Sequence, residues 1–153
     1  MPKLDLDAIK ETNATGYPAP HDGAVAGRWY RRLGPVSGMT DFGVSLVRLE
    51  PGAWSSQRHW HEGEDEFLVM LEGEAVLMED HGPVILRPGD CAAFPKGVRN
   101  GHHLRNESAA ECRFLVIGGG VRTGGGYSDI DMLFTADGSY TRKDGTPYGA
   151  ERV

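Results

Sequence analysis

The stretch HWHEGEDE, residues 59–66, brings together side chains of the types that bind transition-metal ions. His59 and His61 are two residues apart, so on a β-strand both imidazoles point to the same face. Glu66 opens the next apolar stretch, which has the character of a second strand. Two imidazoles and one carboxylate form a donor set for divalent iron, manganese, nickel or zinc, among which the sequence does not choose. The pattern predicts a site for one divalent transition-metal ion.

A further imidazole is available in the segment GHHLRN, which begins at Gly101. On a strand, His102 shares one face with Leu104 and Asn106, whereas His103 points to the other face. Either histidine is therefore a candidate for the third imidazole of the site.

The elements that carry these residues are short strands separated by turns. In DFGVSLVRLEPG, which starts at Asp41, apolar residues alternate with small or polar ones until Pro51 and Gly52 end the run. LEGEAVLMED has the form of two strands folded over Gly73. Between residues 40 and 118 no sustained helical periodicity occurs. Many short strands at regular spacing predict an all-β sandwich or barrel.

The two ends of the chain differ from this middle part. We expect residues 1–40 to form an N-terminal arm, with a short helix at residues 4–11 and a turn-rich continuation. Residues 41–118 are predicted to form the barrel. Residues 119–153 are predicted to be a glycine-rich hinge followed by a C-terminal extension with two Asp-Gly turn signals. Both ends are expected to pack on the barrel or on a neighbouring subunit.

Composition and charge limit the function classes. The 153 residues are enough for one domain with a sizeable core, and 39% hydrophobic and 25% charged residues are ordinary globular values. The formal net charge of −6 offers no basic surface to nucleic acid, so no such partner is expected. The local cluster RWYRR, with Arg28, Arg31 and Arg32, is interpreted as a solvated edge.

Neither membrane insertion nor export is expected from the sequence. The N-terminus MPKLDLDAIKET is charged and lacks the apolar core of a signal peptide. No stretch approaches the roughly 18 apolar residues that cross a bilayer, so we expect a cytoplasmic protein. Cys91 and Cys112 lie in apolar, strand-like segments and are interpreted as small buried hydrophobic residues rather than as a disulfide.

The histidine segment resembles the first motif of the cupin superfamily. That motif consists of a glycine, two histidines flanking one residue, a glutamate, six residues and a glycine. PG, HWHEGEDE and LEG match it in this order, with Glu66 and Gly73 at the required separation. The segment PGDCAAFPKG, followed by a histidine and an asparagine four residues apart, is similar to the second motif. Its matching positions are Gly89, Pro95, Gly97, His102 and Asn106.

The sequence departs from the family pattern in two places. Six residues rather than five separate Gly52 from His59, so a bulge or a longer turn must accommodate one residue. The position that usually carries the last histidine holds Asn100, and the two histidines follow it after the next glycine. A turn widened at this point would bring His102 to the usual position and restore its spacing to the asparagine of the motif. His102 is therefore the preferred ligand and His103 the alternative.

The resemblance covers residues 42–118. It implies a double-stranded β-helix, or jelly-roll barrel, of six to eight strands, with the ion held in its open mouth. It also implies a homodimer, because such barrels often pair through an outer sheet face. Phe67, Val69 and Leu71 would suit this pairing, since they point away from Glu66. The implied metal ligands are His59, His61, Glu66 and His102.

Three function classes are compatible with such a metal site. The first is a metal-dependent enzyme acting on a small polar molecule such as a sugar or an oxy-acid, by isomerase, dioxygenase or lyase chemistry. The second is a non-catalytic binding or sensor protein in which the ion anchors a small-molecule ligand. The third uses the ion only as a structural clamp. The fold hosts all three, and we favour the enzyme.

Three residues are candidates for contacts to a substrate. Gln57 shares the face of His59 if the strand is regular, and Tyr30 and Tyr127 can reach over the barrel mouth from the two ends of the chain. Asn106 is expected to fix a loop by hydrogen bonding. No residue identifies itself as a general acid or base.

Overall fold

The computed structural model describes residues 3–149. The described chain contains twelve strands, one short helix α1 (Leu33–Val36) and a 3-10 turn at Gly23–Val25. The strands are β1 (Arg28–Arg32), β2 (Phe42–Leu49), β3 (His59–His61), β4 (Glu64–Glu72), β5 (Ala75–Glu79), β6 (Gly82–Leu86), β7 (Cys91–Phe94), β8 (His103–Arg105), β9 (Cys112–Gly120), β10 (Gly125–Tyr127), β11 (Leu133–Phe134) and β12 (Tyr140–Thr141).

The strands form two antiparallel layers. One layer is the five-stranded sheet β1-β2-β9-β4-β7. The other consists of the four-stranded sheet β12-β11-β10-β3 and the three-stranded sheet β6-β5-β8. A backbone bridge joins these last two sheets, because His59 and His102 exchange both N–H···O hydrogen bonds, at 3.2 and 2.9 Å. The predicted all-β jelly-roll barrel is confirmed.

The hydrophobic core lies between the two layers. Alternation along β2, β4 and β9 places Leu49, Met70 and Phe114 on the inner face, where each side chain is at most 1% exposed. Leu77 and Leu104 cover them from the opposite layer. Burying an apolar side chain of this size contributes about 1.5–3 kcal/mol. This burial fixes the strand register, and with it the direction in which the polar residues of the site point.

The N-terminal part departs from its prediction in two respects. No helix forms at residues 4–11, where Asp5 accepts a hydrogen bond from the Asp7 backbone at 3.1 Å, a local alternative to helix formation. Thr12 instead bridges Tyr30 through two backbone hydrogen bonds of 3.1 and 2.9 Å. Strand β1 then pairs with β2, so this segment of the predicted arm is part of the barrel wall.

The glycine-rich stretch at residues 118–126 contains strand where a hinge was predicted. Its first glycines end β9, and its last ones open β10, which pairs with β3. A Cβ atom on Gly125 would lie 2.0 Å from the Trp60 carbonyl oxygen, and one on Gly126 would lie 2.6 Å from the Trp60 ring. These glycines therefore allow close approach to the histidine strand. The predicted domain boundaries, after residues 40 and 118, stay predictions.

The outer face of the five-stranded sheet is partly apolar. Phe67 and Leu71 are 40% and 41% exposed and point away from Glu66, as the alternation predicted. Within the part of the chain that the structure describes, no helix has the length and apolar character needed to cross a membrane.

The two cysteines differ in their surroundings. Cys112 is buried in the core, as predicted, and burial raises its pKa to about 11. The prediction is wrong for Cys91, which is exposed, because β7 is an edge strand and Cys91 pairs with Val69 on the outer face. Both thiols are free.

Candidate metal centre and cavity

The residues of the first motif come together at the seam between the two layers. Strand β3 is three residues long, and its alternation points His59 and His61 inward, toward Glu66 on β4. Their Nε2 atoms lie 3.7 and 3.4 Å from Glu66 Oε2. One ligand atom from each of the three residues lies within 4.8 Å of the other two. Such a cluster is compact enough to surround a single metal ion.

The structure distinguishes between the two candidate histidines of the second motif. His102 Nε2 lies 3.0 Å from the same Glu66 oxygen. His103 points away, with its Nδ1 atom 2.8 Å from the Ser56 carbonyl oxygen and its Nε2 atom accepting a hydrogen bond from Arg105 at 3.0 Å. Both nitrogens of His103 are therefore engaged in the fold. The geometry favours His102 as the fourth ligand, and ligation itself stays a prediction.

Neighbouring groups hold two of the imidazoles, and one contact also sets the tautomer of His59. His59 Nδ1 lies 3.0 Å from the Gln57 carbonyl oxygen, which can only accept a hydrogen bond. The proton therefore belongs on Nδ1, and the Nε2 lone pair points into the site. The His102 ring is held by stacking on Phe94, with ring centroids 3.5 Å apart. This tautomer of His59 is the one that a metal bound at Nε2 requires.

Glu66 is the electrostatic centre of the cluster. Burial by itself raises the pKa of Glu66, but the His102 hydrogen bond and the neighbouring imidazoles of His59 and His61 outweigh burial and hold the pKa well below 4.5. Burial lowers the pKa of His61, yet the carboxylates of Glu66 and Glu64 raise it by more. For His102 burial is the largest effect, and its pKa is lowered. An ionised carboxylate beside a neutral His102 is a protonation state suited to a cation.

Both departures from the motif spacing are accommodated locally. Residues 55–58 lie outside the strands, which takes up the additional residue of the first motif. Asn100 ties down the turn before the second motif: its Oδ1 accepts the Asp80 N–H at 2.8 Å, and its Nδ2 donates to Glu79 at 3.1 Å. The turn that Asn100 stabilises places His102 next to Glu66.

Asn106 is a structural residue, as predicted. Its side chain is fully buried, and its Nδ2 donates to the carbonyl oxygens of Leu49 at 3.0 Å and Ala110 at 2.7 Å. Its Oδ1 accepts a hydrogen bond from the Ser108 backbone at 3.0 Å. These bonds hold the loop after β8 against the end of β2, away from the cavity.

A cavity of about 400 Å³ opens beside the histidine cluster. Of the three predicted substrate contacts, Tyr30 and Tyr127 line it and Gln57 does not. Gln57 donates its amide to the His21 carbonyl oxygen at 2.9 Å. The prediction for Gln57 assumed a regular strand, and the irregular backbone of residues 55–58 removes the alternation on which it depended.

Much of the cavity lining was missed from the sequence. Tyr17 contacts Tyr127 edge to face, with ring centroids 5.7 Å apart, and Tyr140 lies beside both. Burial raises the pKa of Tyr17 and of Tyr127, so both hydroxyls stay protonated. Arg32 and Arg122 also line the cavity. For β1, the strand formed by RWYRR, alternation was the one signal in the sequence that could have revealed a cavity-facing side. It puts Arg28, Tyr30 and Arg32 on one face.

Comparisons with known proteins identify the family. The sequence profile described as "Cupin domain" matches residues 45–118. A crystal structure from Silicibacter pomeroyi, described as a sugar phosphate isomerase from a cupin superfamily, is 47% identical to this chain, covers 99% of both chains and has a TM-score of 0.91. The chain belongs to the cupin superfamily. No curated protein sequence matches it significantly.

Two further solved structures extend the comparison. A protein from Acidithiobacillus ferrooxidans, provisionally named a sugar phosphate isomerase, is 25% identical over 84% of this chain and 82% of its own, with a TM-score of 0.70. A polyketide cyclase from Streptomyces resistomycificus is 23% identical over 78% of this chain and 79% of its own, with a TM-score of 0.62. The cyclase shows a shared fold alone.

Proposed function

We propose that the protein is a metal-dependent isomerase that acts on a phosphorylated sugar. The observation that carries the proposal is the convergence of three imidazole Nε2 atoms on one Glu66 oxygen, at 3.0 to 3.7 Å, beside a cavity of about 400 Å³. The similarity to the sugar phosphate isomerase of Silicibacter pomeroyi, over 99% of both chains, supports this reaction class.

The donor set of the cluster fits a divalent transition-metal ion. His59, His61, Glu66 and His102 would hold it, because imidazole nitrogens and a carboxylate oxygen suit iron, manganese, nickel and zinc. When bound, such an ion supplies Lewis-acid polarisation of a sugar hydroxyl or carbonyl group. The hydrogen bond that fixes the His59 tautomer is the kind of outer contact that metal-binding histidines need.

The remaining lining would bind and orient the sugar. The volume of about 400 Å³ lies within the range of roughly 300–1,000 Å³ that is usual for small-molecule sites. Tyr17 and Tyr127 keep their protons and would donate hydrogen bonds to sugar oxygens. Both ends of the chain contribute to the lining, so a bound sugar would be shielded from water on several sides.

The outer sheet face supports the expectation of a homodimer. Phe42, Phe67 and Leu71 are 45%, 40% and 41% exposed on the outside of the five-stranded sheet. Neighbouring apolar groups of this size are typical of protein interfaces. Light scattering should show a dimer, and a monomer at micromolar concentration would contradict this expectation. The cytoplasmic location and the absence of a nucleic-acid partner stay predictions.

The test is the activity of the full-length protein before and after metal reconstitution. Protein stripped by a chelator is reloaded with iron, manganese, nickel or zinc, and interconversion of aldose and ketose phosphates is followed by NMR. We expect uptake of about one ion per chain and ion-dependent turnover. Both should be lost in His61→Ala and kept in His81→Ala, a matched control at an exposed turn.

Two other results would change the conclusion. Binding of sugar phosphates to the loaded protein without turnover would favour the binding or sensor class. Failure of the protein to take up any of the four ions would contradict the metal-dependent function altogether.

A further inference from the structure

Three arginines, Arg28, Arg32 and Arg122, line the cavity without an acidic partner. Within residues 3–149 no carboxylate oxygen lies within 4.0 Å of their guanidinium nitrogens. In contrast, Arg48 and Arg58 elsewhere in the barrel each form ion pairs with at least two acidic residues. The chain has 22 acidic residues and a net charge of −6, yet within the described residues none of them pairs with these three arginines.

Strand β1 presents two of its three arginines on its inner face, whereas Arg31 points outward and pairs with Glu11. Arg28, Tyr30 and Arg32 alternate along the strand, and the two guanidinium carbons lie 5.2 and 5.7 Å from the Tyr30 ring centroid. Tyr30 pairs with Val47 and Arg32 pairs with Ser45 on β2, and both partners line the cavity. The strand therefore places a tyrosine ring between two cations at the cavity wall.

The contacts of Arg28 differ from those of the other two arginines. Arg28 donates to the carbonyl oxygens of Ser55 at 3.0 Å and Ala14 at 3.3 Å, and its buried Nε atom has no hydrogen-bond partner within the described residues. Neutral carbonyls orient the guanidinium and leave its charge uncompensated. Arg32 and Arg122 are exposed to the cavity and make no side-chain hydrogen bond within residues 3–149.

Arg28 and Arg32 lie on β1, across the five-stranded sheet from Glu66. Arg122 follows β9 in a loop whose Val121 N–H donates to the Gly63 carbonyl oxygen at 3.0 Å. In the five-stranded sheet, β2 and β9 separate β1 from β4, which carries Glu66. Three strand spacings amount to about 14 Å between backbones, and the side chains of Arg32 and Glu66 narrow this gap from both sides. The cavity therefore has a carboxylate-imidazole end at Glu66 and a guanidinium end at β1, and Arg122 adds a third guanidinium group to the lining.

We propose that Arg28, Arg32 and Arg122 form an anion subsite that binds the phosphate monoester group of the substrate. The assignment of the sugar part to the histidine end rests on the proposed function, whereas the subsite itself rests on the arginines. A phosphate dianion offers oxygens to several guanidinium groups at once, in the bidentate geometry that arginine favours. It also neutralises more positive charge than a carboxylate does.

The test measures binding of inorganic phosphate to metal-free, full-length protein by isothermal titration calorimetry. Arg32→Gln and Arg122→Gln are the informative variants, because neither residue holds the fold through a hydrogen bond. Arg87→Gln is the matched control, since Arg87 is an exposed arginine outside the cavity with only a 3.7 Å contact to Glu74. Acetate serves as a carboxylate probe, and circular dichroism checks that all variants fold.

We expect the dissociation constant for phosphate to rise about 10- to 100-fold in each of Arg32→Gln and Arg122→Gln. Arg87→Gln should match the wild type, and acetate should bind more weakly than phosphate. Equal phosphate affinity in all four proteins would overturn the subsite. Acetate binding as tight as phosphate binding, with the same dependence on the arginines, would overturn the assignment to a phosphate group.

Metal content measured on the same samples separates this proposal from the proposed function. Arginine-dependent phosphate binding in a protein that takes up no metal would support the subsite and contradict the isomerase. A metal-loaded, active enzyme whose phosphate affinity is unchanged in the arginine variants would support the isomerase and overturn the subsite.

Discussion

The two ends of the cavity are built in opposite ways. At the histidine end, His59, His61 and Glu66 lie within eight residues of sequence, and one short strand aims two of them together. At the arginine end, the charges come from an edge strand and from a loop between β9 and β10 that are far apart in the chain. A compact sequence motif marks the first end, whereas only the tertiary fold assembles the second.

The two ends also differ in charge balance. The imidazoles surround an ionised Glu66 and hold its pKa well below 4.5, so that end carries a buried negative charge among metal-binding nitrogens. The guanidinium groups of Arg28, Arg32 and Arg122 face the cavity with no carboxylate close to them among the described residues. A divalent ion at the first end and an anion at the second would make both ends electrostatically complete.

The largest expected effect is at the histidine end. Glu66→Gln should lower metal occupancy more than about tenfold, because the loss of even an outer partner of a metal ligand costs about 10- to 100-fold in affinity. Elemental mass spectrometry of purified protein measures it. Glu62→Gln, at an exposed glutamate paired with Arg99, is the control and should keep the metal. Equal metal content in both variants would remove Glu66 from the ligand set.

A change at the arginine end should leave the metal in place and alter substrate preference. In Arg32→Gln we expect the advantage in kcat/KM of a phosphorylated sugar over the unphosphorylated sugar to shrink about tenfold or more, because one charged contact to phosphate is lost. Kinetics with both sugars, alongside metal analysis, measures this. Loss of metal together with activity would mean that the two ends are not independent.

A change in the scaffold shared by both ends should affect stability. Asn106→Ala leaves the buried Leu49 carbonyl oxygen without its side-chain donor and removes one of two donors to the Ala110 carbonyl oxygen, so we expect the free energy of unfolding to fall by about 1–3 kcal/mol. Urea denaturation measures the loss. Asn13→Ala, at an exposed asparagine, should change it by less than about 0.5 kcal/mol. An unchanged stability in Asn106→Ala would show that the loop is held by other contacts.

The smallest expected effect concerns the ion pair between Glu11 of the N-terminal segment and Arg48 of β2. The hydrogen bond from Arg48 is the largest influence on Glu11 and lowers its pKa from 4.5, against a smaller opposing effect of burial. Its contribution to stability is therefore complete above pH 4.5 and is lost as the pH falls through the lowered value.

Glu11→Gln should accordingly reduce the free energy of unfolding by about 0.5–1 kcal/mol at pH 7. The difference from the wild type should vanish at lower pH, once Glu11 is protonated. Urea denaturation of both proteins across this pH range measures the difference, with Glu107→Gln as the control at an exposed carboxylate. A difference that is the same at all pH values would contradict the ion-pair explanation.

The sequence was sufficient for the barrel and for the histidine end. Alternation and turn residues follow from local chemistry, which is why β4, β5 and the direction of His59 and His61 could be predicted. Gln57 does not line the cavity, because alternation holds only in a regular strand and residues 55–58 are irregular. The sequence did not predict strand in the glycine-rich stretch. Its glycines are needed there for close approach to Trp60, which is a long-range contact.

The arginine end could not be predicted from the sequence either, because it also depends on long-range contacts. RWYRR has the alternation of a strand, but its interpretation as a solvated edge depends on which face meets the barrel interior. Pairing of β1 with β2 decides that face, and it places Arg28 and Arg32 on the cavity side. The contribution of Tyr17 similarly depends on the path by which the N-terminal segment crosses the barrel, which no local pattern encodes.

The most direct test of the two-ended cavity is anomalous X-ray diffraction from crystals of metal-loaded protein containing an unreactive sugar phosphate analogue. We expect one metal peak among His59, His61, Glu66 and His102, and a phosphate group within hydrogen-bonding distance of Arg32 and Arg122. A metal peak elsewhere, or a phosphate bound at the histidine cluster with the arginines unoccupied, would contradict this expectation.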